Sequence, residues 1–174
     1  MTFTLRPAEP ADATSLAEFA ERTFRDSFGS QNRPEDMDAY AALAFGAEQQ
    51  SAELRDPRVA CILAESEGRL IGYAIIRAVS SEVPASVTGP APVELARLYV
   101  ERGWQGRGVG ESLMDAAIEA ARARGGRTLW LGVWEHNPRA RAFYARRGFR
   151  EVGEHDFLLG PDRQRDLLLA LDLV

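Results

Sequence analysis

The sequence predicts an α/β or α+β fold in which one largely antiparallel sheet is flanked by helices. Two observations support this class. Segments with strand-type alternation and segments with helical periodicity follow one another along the chain. The 174 residues suffice for one compact domain with a sizeable core, and no repeat, low-complexity tract or linker divides them. We therefore expect a single domain over residues 1–174.

The N-terminal part of the chain predicts one strand followed by helices. Proline and acidic residues at two points supply helix-start chemistry, and a glycine supplies a stop. In order, we expect a strand at Phe3–Arg6, a helix from Pro10–Thr14 to about Phe24, a helix from Arg33–Pro34 to Gly46, and one or two further helical turns at Ala47–Leu54.

The rest of the chain predicts strands separated by two helices. A hairpin opens this part, and glycines close both helices. The expected elements are strands at Val59–Ala64 and Leu70–Val79, a loop at Ser80–Pro92, a strand at Val93–Val100, a helix at Gly108–Ala123, a buried strand at Thr128–Val133, a helix at Pro138–Arg147, and strands at Phe149–Gly153 and Leu167–Leu173.

Composition and charge exclude several classes of function. The net charge is −5, which argues against an extended nucleic-acid surface. The chain contains no lysine, so a P-loop lysine, a Schiff-base lysine and a lysine general base are all excluded. No apolar run approaches the roughly 18 residues of a membrane-spanning helix. We expect no nucleic-acid partner and no membrane association.

The compartment and the metal content follow from a few residues. The stretch from Met1 to Pro7 lacks the layout of a signal peptide, and Cys61 is the single cysteine, so we expect a cytoplasmic protein without disulfides. Cys61 lies in an apolar strand and is interpreted as a packing residue rather than a nucleophile. His136 and His155 have no partner at ligand spacing, so no metal is expected.

The most informative segment is a glycine-rich turn, Gln105-Gly-Arg-Gly-Val-Gly110, between the strand Val93–Val100 and the next helix. Backbone N–H groups at such a helix N-terminus bind phosphates, although a simple tight turn is the alternative. The Walker A pattern fails because Gly110 is not followed by lysine. The dinucleotide fingerprint fails because Glu111 and Leu113 stand where its third glycine is required. The pattern that fits is Gln/Arg-x-x-Gly-x-Gly.

This loop, followed by a buried strand, Asn137 and the segment Ala140-Arg-Ala-Phe-Tyr-Ala-Arg-Arg-Gly-Phe149, resembles the GNAT superfamily of acetyl-coenzyme A-dependent N-acetyltransferases. The core of the match covers Glu94–Phe149. The resemblance implies a mixed, mostly antiparallel sheet of six to seven strands flanked by about four helices. It also implies acetyl-CoA as co-substrate and direct acetyl transfer to a primary amine in a ternary complex.

Four more segments resemble one subgroup, the bacterial spermidine/spermine N-acetyltransferases: Thr23–Gly29, Glu35–Tyr40, Trp130–Glu135 and Gly153–Phe157. This similarity implies a polyamine or another small cationic amine as acceptor. An amino acid, a peptide or protein N-terminus and an antibiotic amine are alternatives. A catalytically silent CoA-binding sensor is the alternative from another class. Relatives often pair, so a homodimer is compatible with the resemblance, although no residue requires one.

The resemblance also assigns residues to the co-substrate. The loop amides would hold its pyrophosphate because glycines let the backbone approach closely. Backbone groups after a bulge in the preceding strand would bond the pantetheine arm. The expected binding residues are Leu98, Tyr99, Val100, Gln105, Gly106, Arg107, Gly108, Val109, Gly110, Asn137, Ala140, Phe143 and Tyr144.

Two residues are candidates for proton transfer. Tyr144 would act as general acid, because a phenol with a pKa of about 10 is protonated at neutral pH and suits a departing thiolate. A core tyrosine is the alternative. Glu94 would act as general base, on the strand face opposite Arg97 and Tyr99. A solvated strand carboxylate or a chain of ordered waters are its alternatives.

Further candidates have both a functional and a structural interpretation. Asp26, Glu35 and Asp38 would either line a site for a cationic acceptor or complement helix dipoles. Asn137, followed by Pro138, would cap a helix and can also donate to the pantetheine arm. Trp130 and Trp134 flank Gly132 on one strand face. Core packing explains the tryptophans, and the gap at Gly132 would admit the co-substrate or a neighbouring backbone.

Overall fold

The computed structural model describes residues 2–78 and 82–174, which form a seven-stranded sheet and five α-helices. The helices are α1 Ala13–Phe28, α2 Pro34–Ala44, α3 Ala47–Arg55, α4 Val109–Ala123 and α5 Pro138–Arg146. The strands are β1 Thr4–Pro7, β2 Val59–Ser66, β3 Arg69–Arg77, β4 Pro92–Val100, β5 Thr128–Trp134, β6 Arg150–Leu159 and β7 Asp162–Asp172. None of the helices within these described ranges is both long and apolar enough to cross a membrane.

The sheet is mixed and mostly antiparallel, as predicted. Its strand order is β1-β2-β3-β4-β5-β7-β6, and β4 with β5 is the parallel pair. These two strands pair only from Pro92–Glu94 to Thr128–Trp130 and then separate. The sheet therefore opens in its middle, between the C-terminal parts of β4 and β5.

The helices cover the two faces of the sheet. On one face α4 and α5 bury apolar side chains such as Leu113 and Tyr144 against Leu131 of β5. On the other face α1 and α2 bury Phe24 and Met37 in a second core. Because β4 and β5 separate, a gap in the sheet connects its two helix-covered faces.

A β-bulge changes the orientation of side chains along β4. Ile75 of β3 pairs with Arg97 and Ile76 pairs with Leu95, so Ala96 is the extra residue. A bulge reverses the strict in-and-out alternation beyond it. Glu94 and Arg97 consequently lie on the same face, where both contact the salt-bridge network of Arg77. The prediction that Glu94 faces away from Arg97 and Tyr99 is wrong for this reason.

Several elements are longer than predicted. Helix α1 continues to Phe28, and α3 is a full helix, which brings the helices of the described chain to five rather than about four. The final hairpin is also longer, because β6 reaches Leu159 and β7 begins at Asp162. The predicted strand end at Val79 and the loop start at Ser80 lie outside the described residues.

Candidate active site

A cleft of about 580 Å³ passes through the opening between β4 and β5. Its walls come from the separated strand edges and from helices on both faces of the sheet. At one end are residues of the glycine-rich turn and α5: Gln105, Gly106, Gly110, Glu111, Asn137, Arg139, Ala140, Phe143, Tyr144 and Arg146. At the other end are residues of α1, α2 and the β6–β7 hairpin: Thr23, Phe24, Asp26, Ser27, Phe28, Asn32, Tyr40, Phe157, Gln164 and Asp166.

The glycine-rich turn has backbone φ angles that residues with a Cβ adopt only at a steric cost. Gly106 and Gly108 have φ angles of 74° and 84°, in the left-handed region where glycine has no steric cost. Gly108 is the N-cap of α4, and the first backbone hydrogen bond of that helix runs from Ser112 N–H to the Gly108 carbonyl. The preceding N–H groups have no intrahelical acceptor and carry the positive end of the helix dipole. This end of the cleft therefore suits an anionic diphosphate.

Arginines add positive charge at the same end. Arg139 and Arg146 of α5 line the cleft, and Arg139 donates a hydrogen bond to the side-chain oxygen of Gln105. The amide of Gln105 in turn donates to the Val100 carbonyl at 2.9 Å. Gln105 thus connects the end of β4 to α5 and fixes the turn between them. Its side chain serves the shape of the loop, and its backbone faces the cleft.

Helix α5 contributes a cap and a buried phenol. The Asn137 side-chain oxygen accepts from Ala140 N–H at 3.1 Å, which is N-cap chemistry, and Asn137 also lines the cleft. Tyr144 is 9% exposed, packs edge-on against Phe149 and lines the cleft. Burial raises the pKa of the Tyr144 phenol above its usual value. Tyr144 therefore stays protonated at neutral pH and can only donate a proton.

The opposite end of the cleft is aromatic. Phe24 stacks on Tyr40 with ring centroids 4.9 Å apart, and Phe28 meets Trp134 of β5 edge-on at 5.9 Å. Tyr40 also packs against Phe157 at 5.2 Å. Aromatic faces attract cations, most strongly where water is excluded. This end of the cleft is thus suited to an alkylammonium group.

One of the three acidic residues singled out from the sequence reaches the cleft. Asp26 lines it near the end of α1. Asp38 is instead 2.8 Å from Arg25, and Glu35 is 3.6 Å from Arg33; both carboxylates are largely exposed outside the cleft. The three acids therefore do not converge on one site.

Glu94 does not line the cleft in the described part of the chain, although β4 lines it from Leu95 to Val100. Its carboxylate lies 3.5 Å from the Arg77 guanidinium, at the part of β4 that still pairs with β5. The strands are closed there, so a substrate entering the opening does not meet this side chain.

A carboxylate that the sequence analysis did not single out lies in the cleft instead. Asp166 of β7 is paired in register with Trp134, and 13% of its side chain is exposed. The ionisable side chain in ion-pair range of it is His155 of β6, with Nε2 3.9 Å from Oδ2. Burial raises the pKa of Asp166 to about 6, and the imidazole partly offsets this effect. Asp166 was missed because the apolar pattern of its strand begins one residue later, at Leu167.

Gly132 makes room for this carboxylate. A Cβ at position 132 would lie 3.1 Å from His155 Nε2 and 3.2 Å from Asp166 Oδ2. The gap predicted between Trp130 and Trp134 is therefore occupied by two side chains rather than by a neighbouring backbone. Trp130 is buried, as core packing predicts.

Most of the expected co-substrate residues meet in the cleft. Those that line it are Leu98, Tyr99, Val100, Gln105, Gly106, Gly110, Asn137, Ala140, Phe143 and Tyr144. Three do not. Val109 is fully buried in the core, Gly108 shapes the turn through its φ angle, and the Arg107 guanidinium lies 5.7 Å from the Trp104 ring centroid.

Cys61 has a structural role, and no metal-ligand group is found in the described residues. Cys61 is buried in the core beneath α1, and burial raises the pKa of its thiol to about 12, so no thiolate forms at neutral pH. Across residues 2–78 and 82–174, no three His, Cys, Asp or Glu side chains are grouped as metal ligands.

A sheet that opens beside a glycine-rich helix N-terminus, with a phenol lining the opening, is the arrangement expected of a coenzyme A-dependent acyltransferase. The model of the Acetyltransferase (GNAT) family matches residues 15–149. The chain belongs to this family and is an acetyl-CoA-dependent N-acetyltransferase.

Individual relatives agree with this assignment. The chain is 34% identical over 163 residues to an uncharacterized N-acetyltransferase of Lactobacillus delbrueckii subsp. lactis, covering 94% of this chain and 93% of that one. It is 30% identical over 92 residues to a probable spermine N(1)-acetyltransferase of Bacillus subtilis subsp. natto, covering 52% and 59% of the two chains. The fold is similar to that of a PaiA N-acetyltransferase from Thermoplasma acidophilum in complex with coenzyme A, with a TM-score of 0.79, 19% identity and 99% of both chains covered.

Proposed function

We propose that the protein acetylates the primary amine of a small cationic molecule by direct attack on acetyl-CoA in a ternary complex. The observation that carries this proposal is the continuity of the cleft through the sheet. The anion-binding turn lies at one end, and the aromatic and acidic residues lie at the other. A thioester and an amine that enter from opposite ends meet where β4 and β5 separate.

In this proposal the turn and the arginines hold the co-substrate. Loop amides from Gln105 to Gly110 bind the diphosphate, with Arg139 and Arg146 as additional cations. Backbone groups of Leu98–Val100, after the bulge, bond the pantetheine arm and polarise the thioester carbonyl. The Asn137 side-chain oxygen is used by the α5 cap, which leaves its NH₂ group to donate to the same arm.

Tyr144 supplies the proton for the departing thiolate. Its phenol is protonated at neutral pH, and no side chain or backbone group of the described residues forms a hydrogen bond with it. The hydroxyl is therefore available to a ligand in the cleft. Its edge-on packing against Phe149 fixes the ring of a residue that lines the cleft.

Charge at the acceptor end favours a cation. Asp26 and Asp166 line this end. The positive charge of Arg97 is paired with Glu53 at 2.9 Å, and Arg102 donates to the Asp26 carbonyl at 3.2 Å. Aromatic rings complete the surface. The similarity to a spermine acetyltransferase points to polyamines as the first acceptors to test. Amino acids, peptide N-termini and antibiotic amines remain the alternatives.

Coenzyme A release in the presence of spermidine, spermine, lysine and an aminoglycoside tests this proposal. We expect a tenfold or greater preference in kcat/KM for the polyamines. Asp26→Asn should raise the KM for the preferred amine, and Asp38→Asn, which removes an exposed carboxylate outside the cleft, is the matched control. Turnover restricted to aminoglycosides or peptides would show that these compounds, and not polyamines, are the acceptors. Tight acetyl-CoA binding with no turnover of any amine would favour the CoA-binding sensor.

A further inference from the structure

The carboxylate of Asp166 differs from the other acids around it. In the β6–β7 hairpin and the turn after β5, Asp156 pairs with Arg163, Asp172 pairs with Arg150, and Glu135 pairs with Arg165. No arginine of the described residues lies within salt-bridge distance of Asp166, and none of their groups donates a hydrogen bond to it. A partly buried carboxylate without such partners is costly to ionise, so its retention in a cleft calls for a functional explanation.

Three elements bring this carboxylate to the acceptor end. Register places Asp166 on β7 opposite Trp134 of β5, in the part of β5 that no longer pairs with β4. Gly132 has no side chain, which leaves room for the Asp166 carboxylate. His155 of β6 lies behind it and is partly open to solvent. Its titratable neighbours in the described chain are His155 and, from α2, Tyr40.

We propose that Asp166 is the general base that takes the proton from the acceptor ammonium, and that His155 passes this proton to solvent. The inference deepens the proposed function and rests on it. Asp166 replaces Glu94 in the proton path, because Asp166 lines the cleft and Glu94 does not.

The proton balance of the reaction defines both roles. Asp166 accepts one proton from the ammonium, which leaves a neutral nitrogen with a lone pair. That nitrogen forms the C–N bond at the thioester carbonyl, and the C–S bond breaks. The second proton leaves the nitrogen as Tyr144 gives its own to the sulfur, and the phenol is thereby restored. One net proton remains on Asp166, and it reaches water through the His155 imidazole, 3.9 Å away.

The protonation state of Asp166 suits this task. A carboxyl group with a pKa of about 6 is ionised at pH 7.5 and is a stronger base than an ordinary aspartate. An alkylammonium has a pKa of about 10.4, so each unit by which the pKa of the base is raised reduces the free-energy cost of the proton transfer. Burial beside Gly132 therefore tunes the same group that the geometry places in the cleft.

The test compares Asp166→Asn with Asp172→Asn, an exposed carboxylate on the same strand, using coenzyme A release with spermidine between pH 6 and pH 10. We expect Asp166→Asn to lower kcat/KM by about 100-fold at pH 7. The deficit should shrink toward pH 10, where the amine loses its proton without help. Acetyl-CoA affinity by calorimetry should remain near wild type and the variant should stay folded over this range, and Asp172→Asn should match wild type throughout.

A second variant tests the link to His155. The imidazole lowers the pKa of Asp166, so His155→Ala should raise that pKa and move the acid limb of the kcat/KM profile to higher pH. An Asp166→Asn deficit that is equal at every pH, or no deficit, would overturn the base assignment while the acetyltransferase proposal stands. Wild-type protein that binds acetyl-CoA but turns over no amine would overturn both.

Discussion

The Glu53 carboxylate on α3 lies 2.9 Å from the Arg97 guanidinium on β4, and both side chains are about nine-tenths removed from solvent. Arg77 contacts the same carboxylate at 2.7 Å, and the buried amide of Gln50 accepts from Arg97 at 3.3 Å. The bulge at Ala96 makes this network possible because it turns Arg97 toward α3. The pair thus secures the part of β4 that forms the cleft wall.

Glu53→Ala should destabilise the fold strongly. Removal of one partner leaves the guanidinium of Arg97 buried without its counter-charge, which typically costs about 3–5 kcal/mol. Urea denaturation measures this free energy of unfolding. Glu48→Ala, at an exposed position on the same helix, is the control and should change it by less than about 0.5 kcal/mol. Equal stabilities for the two variants would show that the pair contributes little.

Gly108→Ala should weaken acetyl-CoA binding. A Cβ at a φ of 84° costs about 1–2 kcal/mol, and relief of that strain would rotate the amides at the start of α4. We expect the Kd for acetyl-CoA to rise about tenfold by calorimetry, which corresponds to about 1.4 kcal/mol. Gly103→Ala is the matched control, since Gly103 has no positive φ and open space around it. An unchanged Kd in Gly108→Ala would contradict the role of the turn.

Tyr144→Phe should lower kcat with little change in acetyl-CoA affinity, because in the proposed function the hydroxyl protonates the sulfur as it departs and is not needed to bind acetyl-CoA. We expect a loss of about 10²-fold or more in coenzyme A release. Tyr73→Phe is the control. The Tyr73 hydroxyl is buried without a partner among the described residues, outside the cleft, so its removal should leave kcat unchanged and not lower stability.

Asp166→Asn should stabilise the protein at alkaline pH while it lowers activity. The folded-state pKa of about 6 exceeds the unfolded value of 3.8, so the native state holds its proton more tightly. Wild-type stability therefore falls as the pH rises from about 4 to 6 and stays lower above that range. The asparagine variant lacks this loss and should be more stable by about 2–3 kcal/mol at pH 8. Denaturation of both proteins at pH 4 and pH 8 measures the difference. A stability gap that is the same at both pH values would contradict the raised pKa of Asp166.

Much of the fold could be predicted from the sequence because periodicity and glycine positions determine it locally. The helix after the glycine-rich turn ends at Ala123 as predicted, and Val59 begins its strand as predicted. The β6–β7 hairpin was predicted too short. Glu154–Asp156 and Asp162–Asp166 are all polar or charged, so neither an apolar run nor a regular alternation marks this part of the hairpin as strand.

The candidate site was predictable where a backbone motif defines it and not where long-range pairing does. The turn and Tyr144 lie in one contiguous pattern, whereas Asp166 reaches the cleft only through its register with Trp134. The misplacement of Glu94 has a local cause. One extra residue at Ala96 reverses the alternation of β4, and no side-chain pattern within that strand reveals a bulge.

The brief parallel pairing of β4 and β5 has an evolutionary consequence. Three residue pairs at the start of β4 and β5 hold the two strands together, and the rest of each strand diverges from the other. In the proposed function, the donor and the acceptor dock on surfaces encoded by separate stretches of the gene. Mutations in α1, α2 or the last hairpin would then retarget the enzyme to new amines while the thioester-handling half is inherited intact.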